Sequence, residues 1–106
     1  MGPGKIASQA GHAYVETILQ AQATQPDRFD DYRSDGLGTK VCLAVPSLEQ
    51  LLEVERKCKE AGIPCALITD SGCPDFFNGE PTVTALGVGP AKRHETKKIL
   101  RQFKLL

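Results

Sequence analysis

The sequence predicts an α/β fold: a three-layer α/β/α domain with a small mixed β-sheet, in the order α-α-β-α-β-β-α. Three observations predict it. Apolar residues recur at helical spacing in some stretches and as short continuous runs in others. Gly and Pro punctuate the boundaries between them. Between Thr39 and Thr69 a strand, a helix and a strand follow one another at the spacing of one right-handed crossover, which makes its two strands parallel.

Taken in order, the first helix opens on Met1-Gly2-Pro3-Gly4-Lys5 and runs from Ile6 to about Ala23. At about 100° per residue, Lys5, Gln9 and His12 fall within roughly 60° of one another. Glu16 extends that stripe, and Ile6, Ala10, Ala13, Tyr14, Thr17 and Ala21 take the opposite side. The polar stripe is either the solvated face of an amphipathic helix or one wall of a site. Thr24-Gln25-Pro26 breaks the pattern, and Pro26 starts a short helix with Phe29 and Tyr32 on its apolar side. Asp35-Gly36-Leu37-Gly38 ends it. Thr39 to Val45 reads as an apolar strand. Ser47 is an N-cap with Gln50 three residues on, a capping-box pattern. The helix that follows runs to Ala61, where Gly62 stops it. Ile63 to Thr69 is a second strand, Asp70 to Pro81 a loop, Thr82 to Val88 a third strand, and about Ala91 to Phe103 the last helix. The loop is too short for another crossover helix, so the third strand is expected antiparallel to the second.

The length of 106 residues sets one domain, residues 1–106. With 41% hydrophobic and 25% charged residues the chain is globular. No apolar run reaches the roughly 18 residues of a membrane span, and polar residues and Gly fill the first dozen positions where a signal peptide needs an apolar stretch. A cytoplasmic protein without a membrane partner is the expectation. The four cysteines, Cys42, Cys58, Cys65 and Cys73, form no C-x-x-C pair. They read as reduced thiols, with Cys42 and Cys65 buried on strands, and no metal site or cofactor is expected.

The net charge of zero hides an asymmetry. Residues 1–91 hold seven Lys and Arg against twelve Asp and Glu; residues 92–106 hold six against one. The cationic last helix is either a phosphate-binding surface or a solvated face that neutralises its own domain.

The topology then places a site. Asp70 stands at the carboxyl end of the second strand, where open α/β sheets build their sites. An antiparallel third strand starts at the same edge, which brings Thr82 and Thr84 near Asp70. Asp70-Ser71-Gly72 is a turn in which Gly72 can bring backbone close to a ligand; the plainer role for such an Asp is a turn carboxylate. Gly2-Pro3-Gly4 is a turn opening a helix, whose free N–H groups and dipole favour an anion.

Gly4-Lys5-Ile6-Ala7-Ser8-Gln9-Ala10-Gly11-His12-Ala13 resembles the G-K-x-A-x-Q-x-x-H-A signature of type 2 peptidyl-tRNA hydrolases, the archaeal and eukaryotic type. Ile68-Thr69-Asp70-Ser71-Gly72 resembles that family's strand-end D-A-G segment, with Ser71 for Ala. Thr82 to Pro90 resembles its T-V-x-x-x-G-I-G-P strand and turn, and Phe103-Lys104-Leu105-Leu106 its closing K-L-hydrophobic ending. The resemblance spans Met1 to Leu106. It implies hydrolysis of the ester between peptide and tRNA, peptidyl-tRNA as partner, and a homodimer. The family carries one more strand ahead of the signature; Met1 stands where an internal Met of that segment would be, so this N-terminal strand is expected to be missing. The loop from Cys73 to Glu80 is longer than expected for archaeal members.

The resemblance and the chemistry of ester hydrolysis assign roles. Asp70 orients or deprotonates water, Lys5 stabilises the oxyanion or binds the terminal phosphate and ribose, and Thr84, or Thr82 as second choice, holds water or substrate. Gln9 and His12 support these groups or contact substrate, with His12 a further candidate base. Lys92, Arg93, Lys97, Lys98 and Arg101 are candidates for the tRNA backbone. A covalent serine route has no G-x-S-x-G elbow to use. The alternative reading is a non-catalytic tRNA- or phosphate-binding or dimerising module of the same fold.

Overall fold

The computed structural model describes residues 2–34, 36–70 and 81–106. The elements are α1 (Pro3–Thr24), α2 (Pro26–Arg33), β1 (Leu43–Ala44), α3 (Leu48–Glu60), β2 (Cys65–Asp70), β3 (Thr82–Val88), α4 (Arg93–Leu100) and β4 (Lys104–Leu105). The α/β composition is as expected, with one more short strand at the end of the order.

Helix α1 opens on Pro3, whose fixed φ suits the first turn and whose missing N–H is not needed there. Its buried residues are Gln9, Ala13, Thr17 and Ala21, one row at intervals of four. Gln9 therefore belongs to the packing face, which corrects the expected stripe: His12 and Glu16 are exposed and Gln9 is not. The row is narrow because it lies directly on β3. A Cβ built on Gly87 would stand 2.4 Å from the Ala13 carbonyl oxygen and 2.9 Å from Thr17 Cβ. The Thr17 hydroxyl donates to the Gly89 carbonyl at 2.7 Å across the same contact.

Helix α3 starts as its sequence predicts. The Ser47 hydroxyl oxygen accepts from the Gln50 backbone N–H at 3.2 Å and donates to Gln50 Oε1 at 3.0 Å. It ends in a Schellman pair, Gly62 N–H to Lys59 O and Ile63 N–H to Cys58 O, with Gly62 at a φ of 71°. Ser47→Ala is expected to cost about 1 kcal/mol, measured by urea denaturation, with no change in activity because the cap is exposed and lies outside the site described below.

Val54, Cys58, Ile63, Cys65, Ile99 and Phe103 form the core, and Leu43, Val45, Leu86, Val88, Ala91 and Leu100 pack against it. Cys65 is buried on β2 as expected. Cys42 precedes β1 and is half-buried.

The strands depart from the expected mixed sheet. Among the described residues they form two antiparallel ribbons: β2 with β3, and β1 with β4. The strand expected over Thr39 to Val45 shortens to Leu43–Ala44, since Thr39, Lys40 and Val41 are exposed and pair with nothing in the ribbon. Its partner is the chain end, Leu43 opposite Leu105 and Ala44 opposite Lys104. The β2–β3 pairing is antiparallel as predicted, with Asp70 opposite Thr82. The ribbons flank one cavity of about 1520 Å³.

A clamp that the sequence did not announce ties α2 to α4. Arg28 donates to both Glu95 oxygens, at 2.8 and 2.9 Å, and to the Pro90 carbonyl at 3.0 Å. The guanidinium, with a backbone N–H from Lys92, holds the Glu95 carboxyl below its ordinary value. A depressed carboxyl stabilises the fold above its unfolded pKa, and that contribution is lost as pH falls through the folded one. The stability gap between wild type and Arg28→Met is therefore expected to be full at pH 7 and to narrow below the ordinary carboxylate range, about pH 4. Denaturant titrations at the two pH values read it directly.

Candidate active site at the start of helix α1

Asp70 closes β2, and Lys5 sits in the first turn of α1 above it. Lys5 Nζ donates to Asp70 Oδ2 at 2.6 Å. Both side chains are mostly covered, at 16% and 17% exposure, so water screens the pair less than a surface pair yet still reaches it. The helix dipole adds to the attraction, since the N-terminus of α1 presents positive charge to the carboxylate.

Gln9, one turn further along α1, donates its amide nitrogen to the same Asp70 oxygen at 3.1 Å. Its own oxygen accepts from the Thr84 hydroxyl at 2.5 Å. These contacts fix the order of protons. An ionised carboxylate accepts only, so it takes the NH₂ end of Gln9. The carbonyl end is left to Thr84, which must then donate. Having given its one proton to Gln9, the Thr84 oxygen offers only lone pairs to anything else. The chain Lys5–Asp70–Gln9–Thr84 is thus a cation, a carboxylate and an acceptor hydroxyl held by one buried amide.

Thr84 reaches Gln9 because β3 is bulged. Ile68 pairs with Ala85 and Thr69 with Val83, which leaves Thr84 as the extra residue. A bulge bends the strand and re-aims its side chains. Leu86 and Val88 pack on the core while Gly87 faces Ala13 of α1. The extra residue shifts the alternation so that Thr84 shares the α1 side with Gly87. The sequence holds the signal: apolar positions Val83, Leu86 and Val88 are spaced three and then two, a break in strict period two.

The structure therefore brings together Lys5, Gln9, Asp70 and Thr84. Thr82 stands opposite Asp70 in the ribbon. His12 is exposed on α1 and lies outside this hydrogen-bonded chain. Gly72, with the loop from Cys73 to Glu80, lies outside the described residues. Lys92 caps α4 and its ammonium donates to Asp31 at 2.7 Å. Arg93, Lys97, Lys98 and Arg101 are exposed on and just after α4, and Arg93, Lys97 and Arg101 line the same cavity as Gln9 and Thr84. Burial pushes the Cys58 thiol up to about 11 and raises Cys65 as well, so these two are packing groups at neutral pH. Among the described residues no three His, Cys, Asp or Glu side chains cluster as metal ligands.

A short, water-accessible constellation of ammonium, carboxylate and hydroxyl suits hydrolysis. Comparison with known proteins agrees. The sequence model for "Peptidyl-tRNA hydrolase PTH2" matches residues 1–106. A peptidyl-tRNA hydrolase of Methanocaldococcus jannaschii is 36% identical over 106 residues, covering 100% of this chain and 90% of the relative. That of Methanothermobacter thermautotrophicus is 40% identical over 100% of this chain and 89% of the relative. That of Thermoplasma acidophilum is 31% identical over 100% and 88%. Signature helix, strand-end aspartate and bulged threonine strand meet at one point in a chain that matches over its full length: the protein belongs to the PTH2 family of peptidyl-tRNA hydrolases.

Proposed function

We infer that the chain hydrolyses the ester joining a peptide to the 3′ ribose of tRNA, releasing both. The observation that carries this is the hydrogen-bonded chain Lys5–Asp70–Gln9–Thr84, assembled from three separate sequence motifs. Asp70 orients the attacking water and takes its proton. Lys5 supplies the positive charge for the developing oxyanion, and the Asp70 contact keeps its ammonium in place. The Thr84 oxygen accepts a hydrogen bond from water or from a substrate hydroxyl. Gln9, buried between Asp70 and Thr84, positions both. Thr82, opposite Asp70 in the ribbon, borders the same strand end, and His12 lies on the exposed side of α1 toward bulk solvent, where it meets substrate only outside the catalytic chain. Release of peptide from peptidyl-tRNA by the purified protein tests the reading, and tRNA binding without release would leave the non-catalytic module in its place.

The tRNA backbone lies along α4, through Lys92, Arg93, Lys97, Lys98 and Arg101. Neutralising Arg93, Lys97 and Lys98 together to Gln is expected to flatten the dependence of log K on log salt by about two to three, roughly 0.7–0.9 per lost phosphate contact. Titrating tRNA at several salt concentrations checks it, and an unchanged slope would move the tRNA elsewhere.

The domain reading that goes with this activity is a three-layer α/β/α arrangement in which a further strand, ahead of α1, joins the two ribbons into one mixed sheet. A homodimer of cytoplasmic location fits a translation-related hydrolase, and Val15 and Leu19, exposed one turn apart on α1, are candidates for the self-contact; among the described residues no helix is long and apolar enough to cross a membrane.

A further inference from the structure

Helix α4, which carries the cations assigned to the tRNA backbone, is short. Its 8 residues fall below the roughly 12–15 that an isolated helix needs in water, so its direction is set by what it touches. One end is anchored by packing: Ile99 and Phe103 belong to the core and Leu100 packs against it. The other end is held by polar contacts. Arg28 donates from Nη1 to Glu95 Oε2 and Pro90 O, and from Nη2 to Glu95 Oε1. Its Nε donates to Gln25 Oε1 at 2.8 Å, and the Gln25 amide donates to Gly62 O at 3.0 Å. Lys92 N–H donates to Glu95 Oε2 at 2.7 Å, and the Lys92 ammonium adds its tie to Asp31 of α2. A planar guanidinium facing a planar carboxylate fixes an angle as well as a distance. Here Gln25 orients the fork itself.

The start of α4 is also referenced to the active site. Gln9 and Thr17 belong to one buried row of α1, about two turns apart. Gln9 holds Asp70 and Thr84, while Thr17 holds the Gly89 carbonyl just ahead of α4. Gly89 N–H donates in turn to Pro64 O at 2.7 Å. Helix α1 passes into α2 through the single residue Gln25, whose N–H donates to Ala21 O and whose carbonyl accepts from Phe29 N–H. One continuous frame thus sets the reacting groups and, through Thr17 and Arg28, the first turn of α4. Without the Arg28–Glu95 contact, α4 is free to swing about its apolar end. Arg93, in the first turn, would move furthest, and Arg101, next to the anchored end, least.

We propose that Arg28, acting through Glu95, is a positioning residue that selects tRNA-borne esters over small ones: it aligns the cationic helix with the Lys5–Asp70–Gln9–Thr84 chain, so that ester and backbone phosphates engage together. This rests on the placement of tRNA along α4. The effect is on binding rather than on chemistry. A bound tRNA draws α4 to the same angle with or without the clamp, and the reacting groups then meet alike. A helix that visits that angle only about a tenth of the time binds about tenfold more weakly. A small ester without a phosphate backbone does not use α4 and does not sense the clamp.

Two variants are compared with wild type on two substrates. The substrates are peptidyl-tRNA and an N-acylaminoacyl ester of adenosine, which keeps the ribose ester and lacks the tRNA backbone. Arg28→Lys keeps the charge and loses the fork. Glu95→Gln removes a negative charge beside the cationic helix. In both, KM for peptidyl-tRNA is expected to rise about tenfold with kcat within about twofold of wild type, and kcat/KM for the small ester to stay unchanged. The signs separate this from other causes. If Arg28 only added positive charge to the tRNA surface, Arg28→Lys would bind as wild type does and Glu95→Gln more tightly. If the clamp only stabilised the fold, both substrates would lose kcat in step with the folded fraction, which circular dichroism reads. Either pattern overturns the proposal, and so does an unchanged KM. The salt slope of tRNA binding by the variant neutralised at Arg93, Lys97 and Lys98 tells which part failed. An unchanged KM with a flattened slope removes the role of the clamp and keeps tRNA on α4. An unchanged slope removes the tRNA surface and the proposal with it.

Discussion

Asp70→Asn is expected to lower kcat/KM for peptidyl-tRNA by about 10²- to 10⁴-fold while leaving the protein folded. The substitution keeps size and shape and removes the charge. Three things then change at once. The Lys5 ammonium, mostly covered and 2.6 Å from the lost charge, has no counter-ion at that position. The base that would take a proton from water is gone. The proton order along the chain is also no longer fixed. A carboxylate forces Gln9 to present its NH₂ and so forces Thr84 to donate; an Asn side chain can donate as well as accept, so Gln9 can turn over and Thr84 can present a proton instead of lone pairs. Gln9→Glu isolates this last effect. It leaves Asp70 and Lys5 in place, sets a second carboxylate against the first, and removes the donor that Asp70 accepted from. Its expected loss is about tenfold to a hundredfold, partly recovered at low pH where one carboxyl is protonated. Circular dichroism establishes the fold of each variant and peptide release gives the rate. A folded Asp70→Asn protein with wild-type kcat/KM would refute the role given to Asp70.

The helices were legible because their signals are local. Pro3, Pro26, Ser47 with Gln50, and Gly62 each mark a boundary through the chemistry of one or two residues, and each boundary falls within a few residues of the observed one. The nearness of Thr82 and Thr84 to Asp70 was legible too, since it needs only a strand end and an antiparallel return; that Lys5 joins them was implied by the resemblance of its helix to the family signature rather than by the topology. The sheet was not. Strand pairing is non-local, and nothing within Thr39 to Val45 says whether its partner is the neighbouring strand in sequence or the two residues Lys104–Leu105 at the far end. The position of Gln9 was misread for a subtler reason. A polar residue one turn from Lys5 and His12 looks like part of a polar stripe, but a Gln amide has both a donor and an acceptor end. Once both are bonded, it can lie in a row with Ala13, Thr17 and Ala21. The Arg28–Glu95 clamp joins residues 67 apart and leaves no pattern in the chain.

Gly87→Ala and Gly11→Ala make the same chemical change and are expected to act in opposite directions. At Gly87 the new methyl would stand 2.4 Å from the Ala13 carbonyl oxygen and 2.9 Å from Thr17 Cβ. The first of these is backbone, so relief requires α1 to lift from β3 as a body. Interdigitated cores resist this by about 1–3 kcal/mol, and more where backbone must move; for a domain of this size that is a fall in Tm of roughly 4–8 °C per kcal/mol. The lift would also stretch the Thr17–Gly89 bond at 2.7 Å and the Gln9–Thr84 bond at 2.5 Å, because both join α1 to β3 or the turn that follows it. Activity is therefore expected to fall with stability, and lowering the temperature should restore the fold before it restores the rate. At Gly11 a Cβ meets nothing within 4 Å. There the methyl only restricts the unfolded chain in the middle of a helix, a gain of about 0.5–1 kcal/mol, and peptide release should be unchanged. If Gly87→Ala melts at the wild-type temperature, α1 does not lie on β3 through this contact, and the distance that sets Gln9 against Thr84 must be held by something else.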